Sequence, residues 1–225
     1  MTRVINGDET IVLRTMDIVD PRIEAYTASL HARYDEPVML EMEAEARASG
    51  FPIVGRNVGV TLEVLARSIG ARRVMELGSG FGYSAYWFAR AVGSDGKVHC
   101  TDGDPGNAEK AEDYLTRAGV WDRVTYHVGD AVEQMATIDG EFDIVYDDID
   151  KHGYPGAWRA GRERIRVGGL YICDNVLWSG RVVEPDPDRN TSAILEHNQL
   201  IADDDRFIST IVPTRDGVFV ALRVA

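Results

Sequence analysis

Acidic and amide side chains stand at the ends of several apolar runs, and these residues are the best suited to chemistry. Glu76 ends one run, Asp102 ends the next, and Asp148, Asp174 and Asn175 follow two later runs. Short apolar runs of this kind indicate buried strands. Because the carboxyl ends of parallel strands meet at one edge of a sheet, we expect these side chains to converge there.

Three of these residues, Asp148, Asp174 and Asn175, offer only oxygen ligands. Convergent carboxylates repel one another unless a cation or hydrogen-bond donors compensate for the charge. Oxygen ligands favour magnesium, calcium or manganese over zinc. We therefore predict a divalent cation site here, with magnesium as the first choice. The alternative is that each carboxylate only caps a helix.

The turn after Glu76 carries Gly78, Gly80 and Gly82, and the apolar pattern of residues 83–92 predicts a helix. Such a strand-turn-helix unit lets the backbone approach a ligand and offers it free N–H groups. A nicotinamide dinucleotide is one alternative ligand, and a turn without a ligand is another. The G-x-G-x-G spacing and the charge of Glu76 argue against a pyrophosphate. A cationic or hydroxyl-bearing ligand suits this turn better.

Asp102 stands twenty residues after Gly82, at the end of the second expected strand. A carboxylate at this place accepts two hydroxyl hydrogen bonds at once. The position is therefore typical of a residue that binds a ribose diol.

The fold class that the sequence predicts is α/β, with a doubly wound, mostly parallel sheet, because strands alternate with helices along the chain. The expected strands are 74–76, 97–101, 124–128, 142–146 and 170–173, followed by a C-terminal antiparallel hairpin of 207–212 and 218–224. The expected helices of this core are 61–69, 83–92, 107–118, 158–165 and 197–202, with a turn at Gly168 and Gly169.

The N-terminal region has a different pattern. Residues 1–10 are polar, and helical spacing follows, with Pro21 and Pro37 as helix starts. Residues 51–59 break the spacing and predict a loop, either a lid over the ligand or a plain connector. We expect one domain, 1–225, made of a helical region (1–50) and a cofactor- and metal-binding core (51–225).

Composition limits the classes of function. A chain of 225 residues with 44% hydrophobic content suits one domain with a substantial core. Cys100 and Cys173 lie in apolar runs and predict buried thiols, as in a cytoplasmic protein. No apolar run approaches membrane-spanning length, so we do not expect the protein to associate with a membrane. The net charge of -13 argues against nucleic acid as a partner and favours small molecules.

Several segments together resemble the class I, metal-dependent O-methyltransferases, the family of caffeoyl-CoA and catechol O-methyltransferases, whose methyl donor is S-adenosylmethionine. The resemblance covers roughly residues 55–225 and depends on segments 75–84 (MELGSGFGYS), 142–151 (FDIVYDDIDK) and 167–180 (VGGLYICDNVLWSG). Residues 204–207 and 216–217 are similar to the family's closing segment. Asp147 departs from the family, which usually has an apolar residue there, and needs a polar partner in the core.

The resemblance implies a role for each matching residue. Glu76 and Ser84 would hold the amino-acid end of the donor, and Asp102 its ribose. Gly78, Gly80 and Gly82 form the cofactor loop, and Gly129, Asp130 and Ala131 would border the adenine. Asp148, Asp174 and Asn175 would bind the metal, with Asp148 also counted in the cofactor site.

Lys151 follows the metal strand and is the expected catalytic base that removes the acceptor proton. A neighbouring cation lowers the pKa of a lysine, which suits it to this role. His152 is a second candidate for the base. Trp178 is expected to be either a pocket wall or a core residue.

The predicted function is therefore the methylation of a hydroxyl on a catechol-like or related phenolic small molecule. Catechols, flavonoids, hydroxycinnamoyl thioesters and polyketide phenols all remain open as acceptors. The alternatives are a tRNA hydroxyuridine O-methyltransferase, a nicotinamide-dependent oxidoreductase and a non-catalytic binding module. We also expect a homodimer, because the amphipathic N-terminal helices have more apolar surface than one sheet edge covers.

Overall fold

A computed structural model describes residues 16–225, which contain a seven-stranded sheet with helices on both faces. The strands are β1 (Arg73–Leu77), β2 (Lys97–Asp102), β3 (Val124–Val128), β4 (Phe142–Asp147), β5 (Ile165–Cys173), β6 (Phe207–Val212) and β7 (Val218–Arg223). Their order is β3-β2-β1-β4-β5-β7-β6. The first five strands are parallel, and β7 pairs antiparallel with both β5 and β6. This confirms the predicted fold class and the C-terminal hairpin.

The helices are α1 (Pro21–Ser29), α2 (Pro37–Ser49), α3 (Gly55–Ser68), α4 (Tyr83–Val92), α5 (Pro105–Arg117), α6 (Ala131–Thr137), α7 (Tyr154–Gly161) and α8 (Arg189–Ala202). Proline stands in the first turn of α1 and α2, as the sequence predicted. A proline has no N–H to leave unsatisfied at that position. The expectation for residues 1–10 lies outside the described residues.

The core consists of two apolar clusters, one on each face of the sheet. Val74 of β1 belongs to the cluster under α3 and α4, whereas its neighbour Met75 belongs to the cluster under α7 and α8. Successive strand residues point to opposite faces, so a strand covered on both sides must be apolar throughout. The acidic groups of the central strands therefore lie close to the strand ends.

The loop expected at 51–59 is shorter in the structure, because α3 already begins at Gly55. Contacts with residues that are distant in sequence stabilise the first turn of α3. Asn57 Nδ2 donates to the Thr27 hydroxyl at 3.0 Å, and Arg56 pairs with Glu43 at 2.9 Å. The local sequence pattern does not reveal these contacts, so the predicted start of the helix was too late.

The segment before β5 also differs from the expectation. Helix α7 begins at Tyr154 rather than at residue 158, and β5 begins at Ile165, so Gly168 and Gly169 lie inside a strand and not in a turn. The pairing of β4 with β5 shifts register between Phe142 and Ile144. A Cβ at Gly169 would lie 2.7 Å from the backbone oxygen of Asp143. Glycine is needed at this irregularity because the two strands approach closely.

Two smaller expectations can be compared with the described residues. Cys100 and Cys173 are buried free thiols, as predicted. Within residues 16–225, no helix combines the length and the apolar character that crossing a membrane requires.

Candidate active site

The carboxyl ends of β2, β1, β4 and β5 lie side by side and border a cavity of about 860 Å³. The chain leaves β1 toward β2 on one side, whereas β4 joins β1 on the other side. Such a switch point opens a crevice between the two connections, where open α/β sheets bind ligands. Ten of the twelve site residues predicted from the sequence line this cavity: Gly78, Gly80, Ser84, Asp102, Asp130, Ala131, Asp148, Lys151, Asp174 and Asn175. The two exceptions are Gly82, which caps the adjoining α4, and Glu76.

The glycine-rich turn brings β1 and β4 close together. Gly78 has a φ of 84°, and a Cβ there would lie 2.5 Å from the backbone oxygen of Asp148. Gly80 has a φ of 49°, and a Cβ there would lie 2.8 Å from the ring of Phe51. A side chain at Gly78 would collide with the backbone after β4, and one at Gly80 would displace the Phe51 ring. Glycine therefore sets the shape of the cavity floor.

Glu76 is fully buried behind the cavity wall rather than in it. Its Oε2 atom lies 3.5 Å from the thiol of Cys100, and its Oε1 atom has no hydrogen-bond partner among the described residues. Burial raises the pKa of Glu76 to about 7, although the nearby hydroxyls of Ser84 and Ser79 oppose this shift. Both serines line the cavity. Glu76 is thus placed to act on a ligand through these hydroxyls.

Asp102 connects the end of β2 to the glycine-rich turn. Its Oδ2 atom accepts from the Gly80 amide at 3.1 Å, and its Oδ1 atom accepts from the Asp104 amide at 2.8 Å and from Asn107 Nδ2 at 3.0 Å. A carboxylate has about four acceptor positions. Asp102 therefore keeps room for one further donor from the cavity, rather than the two that the sequence suggested.

Asp130 and Ala131 lie at the tip of β3 and line the same end of the cavity. The exposed side chain of Asp130 caps α6, where its Oδ1 atom accepts from the Glu133 amide at 2.9 Å. This N-cap fixes the loop around Gly129. The helix itself was not predicted, although an aspartate before an apolar segment was the signal for it.

The acid pair at the ends of β4 and β5 consists of Asp148 and Asp174, and Asn175 lies beside it. Asp174 is only 1% exposed, and its Oδ1 atom has no hydrogen-bond partner among the described residues. Burial and the charge of Asp148 raise the pKa of Asp174 to about 7. Burial also raises the pKa of Asp148, although Lys151 opposes this shift. Two repelling carboxylates, one with an unpartnered buried oxygen, fit a hard divalent cation.

Lys151 is held between the acid pair and a buried tyrosine. Its Nζ atom lies 3.1 Å from Asp148 Oδ1 and 2.6 Å from the Tyr154 hydroxyl, which donates to the Asp174 carbonyl at 2.8 Å. Burial lowers the pKa of Lys151, but the charge and hydrogen bond of Asp148, together with Cys173 and Asp174, outweigh burial, so the pKa lies above its usual value. The protein by itself thus raises the pKa of Lys151, and the lowered pKa expected from the sequence would require a bound cation. Neutralising Asp148 would remove the principal cause of the rise.

The walls near Lys151 are aromatic and basic. The ring centre of Trp178 lies 5.9 Å from Lys151 Nζ, so this tryptophan is a pocket wall rather than a core residue. The exposed side chain of His152 also lines the cavity. Arg215 reaches the same region from the turn between β6 and β7, and sequence reasoning missed it. No local pattern connects that distant turn to the acid pair.

Asp147 finds the polar partner that its position in the core requires. Its Oδ2 atom accepts from the Tyr171 hydroxyl at 2.6 Å, and that hydroxyl lies 3.1 Å from His197 Nε2. Burial raises the pKa of Asp147 to about 7. Among residues 16–225, possible ligand atoms of Asp147, Cys173 and His197 lie within 4.8 Å of one another. The Tyr171 hydroxyl already joins two of them, so this group forms a buried hydrogen-bond network.

The chain matches the family model described as O-methyltransferase over residues 30–224 and belongs to that family. A catechol O-methyltransferase of Mycobacterium tuberculosis is 32% identical over 183 residues, which is 80% of this chain and 83% of that protein. Caffeoyl-CoA O-methyltransferase 1 of Eucalyptus globulus is 30% identical over 211 residues, with 88% and 85% covered. The solved structure of the O-methyltransferase TomG from Streptomyces achromogenes, involved in tomaymycin synthesis and in complex with SAM, superposes with a TM-score of 0.83 at 29% identity, covering 91% of this chain and 96% of that one.

Proposed function

We propose that this protein transfers the methyl group of S-adenosylmethionine to a hydroxyl of a catechol-like or related phenolic small molecule, with a divalent metal that orients the acceptor. The observation that carries the proposal is that one cavity joins the glycine-rich turn and Asp102 to the acid pair and Lys151. The donor is supported by the TomG structure with SAM and by a Bacillus cereus O-methyltransferase structure with SAH, which is 27% identical with a TM-score of 0.77. The acceptor class is supported by the names of the catechol and caffeoyl-CoA relatives.

In this proposal, the donor lies along the ends of β1, β2 and β3. The remaining acceptor position of Asp102 takes a ribose hydroxyl, and Asp130 and Ala131 border the adenine. Ser79 and Ser84 face the amino-acid end of the donor. Glu76 lies behind these two hydroxyls, where the negative charge of an ionised carboxylate would attract the ammonium group of the donor.

The metal would be held by Asp148, Asp174 and Asn175. A divalent cation supplies the positive charge that lowers the pKa of the acceptor hydroxyls. The chain contributes the geometry. Asn175 is held in the left-handed conformation, with a φ of 57°, which places this residue beside Asp174 at the end of β5. A non-glycine residue in that region is uncommon and recurs at functional sites.

Lys151 removes the acceptor proton in this proposal. Tyr154 fixes the Nζ atom, because its hydroxyl is itself anchored on the Asp174 carbonyl. As the acceptor oxygen attacks, an oxygen-carbon bond forms, the carbon-sulfur bond of the donor breaks, and the hydroxyl proton moves to Nζ. Methyl transfer is an in-line displacement, so the remaining task of the protein is to align the reactants and exclude water. Trp178 and Phe51 contribute aromatic walls to the cavity.

An assay with labelled S-adenosylmethionine, magnesium and a panel of phenols tests the function. Wild-type protein should methylate at least one vicinal diol, and a chelator should abolish the reaction. The variant Asp174→Ala should lose most activity and regain part of it at high magnesium, because one charged ligand has been removed. Full activity in chelator would exclude the metal. Donor binding without transfer to any phenol would exclude the acceptor class.

A further inference from the structure

Arg215 lies where two cavities meet. It lines the cavity that contains the acid pair and also a neighbouring cavity of about 640 Å³. Both cavities share the segment 51–53 as a wall. The acid pair, Asp148 and Asp174, lines the first of these cavities together with Arg215. A molecule bound at the acid pair therefore has Arg215 within reach.

The guanidinium of Arg215 has donors to spare. Its Nη1 atom donates to the Ile53 carbonyl, and no carboxylate of residues 16–225 forms an ion pair with it. An arginine has five N–H donors, so most of them are left for a ligand. The acids of the neighbouring cavity are committed elsewhere, because Asp35 and Glu43 both pair with Arg56.

The backbone at Arg215 is in the left-handed region, with a φ of 50°. This region favours glycine and disfavours residues with a Cβ atom. The turn is held there by its contacts with the segment after β5: the amide of Leu177 donates to the Asp216 carbonyl at 2.9 Å, and the amide of Val176 donates to the Gly217 carbonyl at 3.1 Å. An arginine kept in a strained conformation at a cavity wall is an observation that suggests a function for its side chain.

The charges around the acceptor end of the cavity are unbalanced in the proposed enzyme. A divalent cation would offset the charges of Asp148 and Asp174, and Lys151 would be neutral as the base, so Arg215 would be the positive side chain left in the lining of this cavity. The sulfonium of the donor adds another positive charge. An acceptor that carries a negative group in addition to its hydroxyls complements this site, whereas a neutral or cationic acceptor does not.

We propose that Arg215 binds a carboxylate of the phenolic acceptor, so that the preferred acceptors are catechols with a carboxylate on the ring or on a short side chain. This inference rests on the proposed function and specifies its substrate class. A guanidinium matches a carboxylate with two parallel hydrogen bonds, which fixes orientation as well as affinity. Binding the carboxylate at Arg215 and the diol at the acid pair selects which hydroxyl faces the donor.

The test compares 3,4-dihydroxybenzoate with 3,4-dihydroxybenzamide, which has the same shape without the charge. Wild-type protein should have a higher kcat/KM for the acid. The variant Arg215→Gly, which also relieves the backbone strain, should lower the acid-to-amide ratio of kcat/KM by about tenfold to a hundredfold, the usual value of a charge-assisted hydrogen bond. The variant Arg215→Lys should keep part of the preference, and Arg215→Glu should reverse it.

The matched control is Arg47→Ala, which removes an exposed cation from the neighbouring cavity and should leave the ratio at its wild-type value. Calorimetry gives a second readout without turnover: the acid should bind wild-type protein more tightly than it binds Arg215→Gly, also when magnesium is omitted. An equal loss for both acceptors in Arg215→Gly would show that Arg215 only supports the segment 51–53, and would overturn the inference.

A further arm separates a carboxylate from a phosphate as the bound anion. Caffeate and caffeoyl-CoA are compared in wild-type protein and in Arg215→Gly. A loss confined to caffeate supports the inference, and a loss confined to caffeoyl-CoA overturns it. Methylation of the amide with an unchanged ratio in every variant would refute the inference and leave the proposed function standing. Methylation of none of these acceptors by wild-type protein would refute both.

Discussion

At the scale of single residues, Asp102 connects the fold to the proposed donor site. Its carboxylate accepts three hydrogen bonds from the chain and has room for one more. The same side chain therefore shapes the glycine-rich turn and offers one position to a ribose hydroxyl. Replacing Asp102 removes its hydrogen bonds to the turn and its hydrogen bond to the ribose at once. A control variant is therefore needed to separate a loss of stability from a loss of donor binding.

We predict that Asp102→Ala weakens the binding of S-adenosylmethionine by about 1.5–3 kcal/mol, which is the usual value of a hydrogen bond to a charged group. Asp104→Ala is the matched control, because Asp104 caps α5 through the Gly106 amide at 2.8 Å and does not line the cavity. It should lower the unfolding free energy by about 1 kcal/mol and keep the donor affinity. Calorimetry and thermal denaturation measure the two effects. Unchanged donor affinity in Asp102→Ala would show that the ribose is held elsewhere.

The role of Lys151 predicts a pH profile. The variant Lys151→Ala should lose about 10²-fold to 10⁴-fold in kcat at neutral pH, because the base is missing. It should regain rate as the pH rises toward the pKa of the acceptor, since a phenolate needs no proton removed. Magnesium affinity should change little, because Lys151 is not a ligand in the proposed site. A pH-rate series on one catechol acceptor checks this, and a variant as active as wild type at neutral pH would exclude Lys151 as the base.

At the scale of elements, the sequence was most informative where a structure depends on neighbouring residues. The ranges of α4, β3 and β6 were predicted to the residue. The ends of β1, β2 and β5 were correctly placed next to acids, because a buried strand excludes charge until it reaches the edge of the sheet. Convergence of the acids then follows from parallel pairing alone.

The errors lie where distant residues decide the structure. The start of α3 depends on contacts with α1 and α2, and the inclusion of Gly168 and Gly169 in β5 depends on pairing with β4. Arg215 enters the site from a hairpin turn that packs on the segment after β5. None of these contacts has a local signature in the sequence, so only the three-dimensional structure identifies the residue that we assign to the acceptor.

The pairing of β2 with β3 contains a histidine pair that predicts how stability changes with pH. His99 Nδ1 and His127 Nε2 are 3.3 Å apart. Burial and the neighbouring His127 lower the pKa of His99 to about 4, and burial lowers that of His127. Both rings are thus held neutral in the folded protein. The stability that the two neutral rings contribute to the fold is fully present above the unfolded-state pKa of about 6.5. It is lost as the pH falls toward 4.

We therefore expect His99→Thr to reduce the acid sensitivity of the fold. Between pH 6.5 and 4, the unfolding free energy of wild-type protein should fall faster than that of the variant, by up to about 1.4 kcal/mol per pH unit for one proton. Urea denaturation at a series of pH values measures both slopes. Parallel slopes would show that His99 is protonated in the folded protein at the same pH as in the unfolded chain.

At the scale of the whole molecule, the N-terminal helices present an apolar surface without a partner among residues 16–225. Helix α1 has no buried residue. Ile23, Tyr26 and Leu30 are 56%, 63% and 60% exposed. Their spacing places them on one face of the helix, or directly after its end. Asn57 of α3 holds α1 through polar contacts with Glu24 and Thr27, so the apolar face is turned away from the domain.

This surface supports the homodimer expected from the sequence. A two-fold axis beside α1 would pack the same face of two chains together, as in most homodimers. A stable interface buries about 1,200–2,000 Å² in total, which is more than one short helix provides, so neighbouring residues such as the exposed Leu40 of α2 must take part. The interface would lie on the helical region.

The double variant Ile23→Asp and Tyr26→Ser should therefore convert the dimer to a monomer, because a charge buried without a partner in the interface opposes association. Val64→Asp is the matched control: Val64 is 60% exposed on α3, outside the proposed interface, and should keep the dimer. Sedimentation equilibrium over a range of concentrations measures the mass of each protein. A wild-type mass that stays monomeric at every concentration would rule out the dimer, and dissociation by Val64→Asp alone would place the interface on α3 instead of α1.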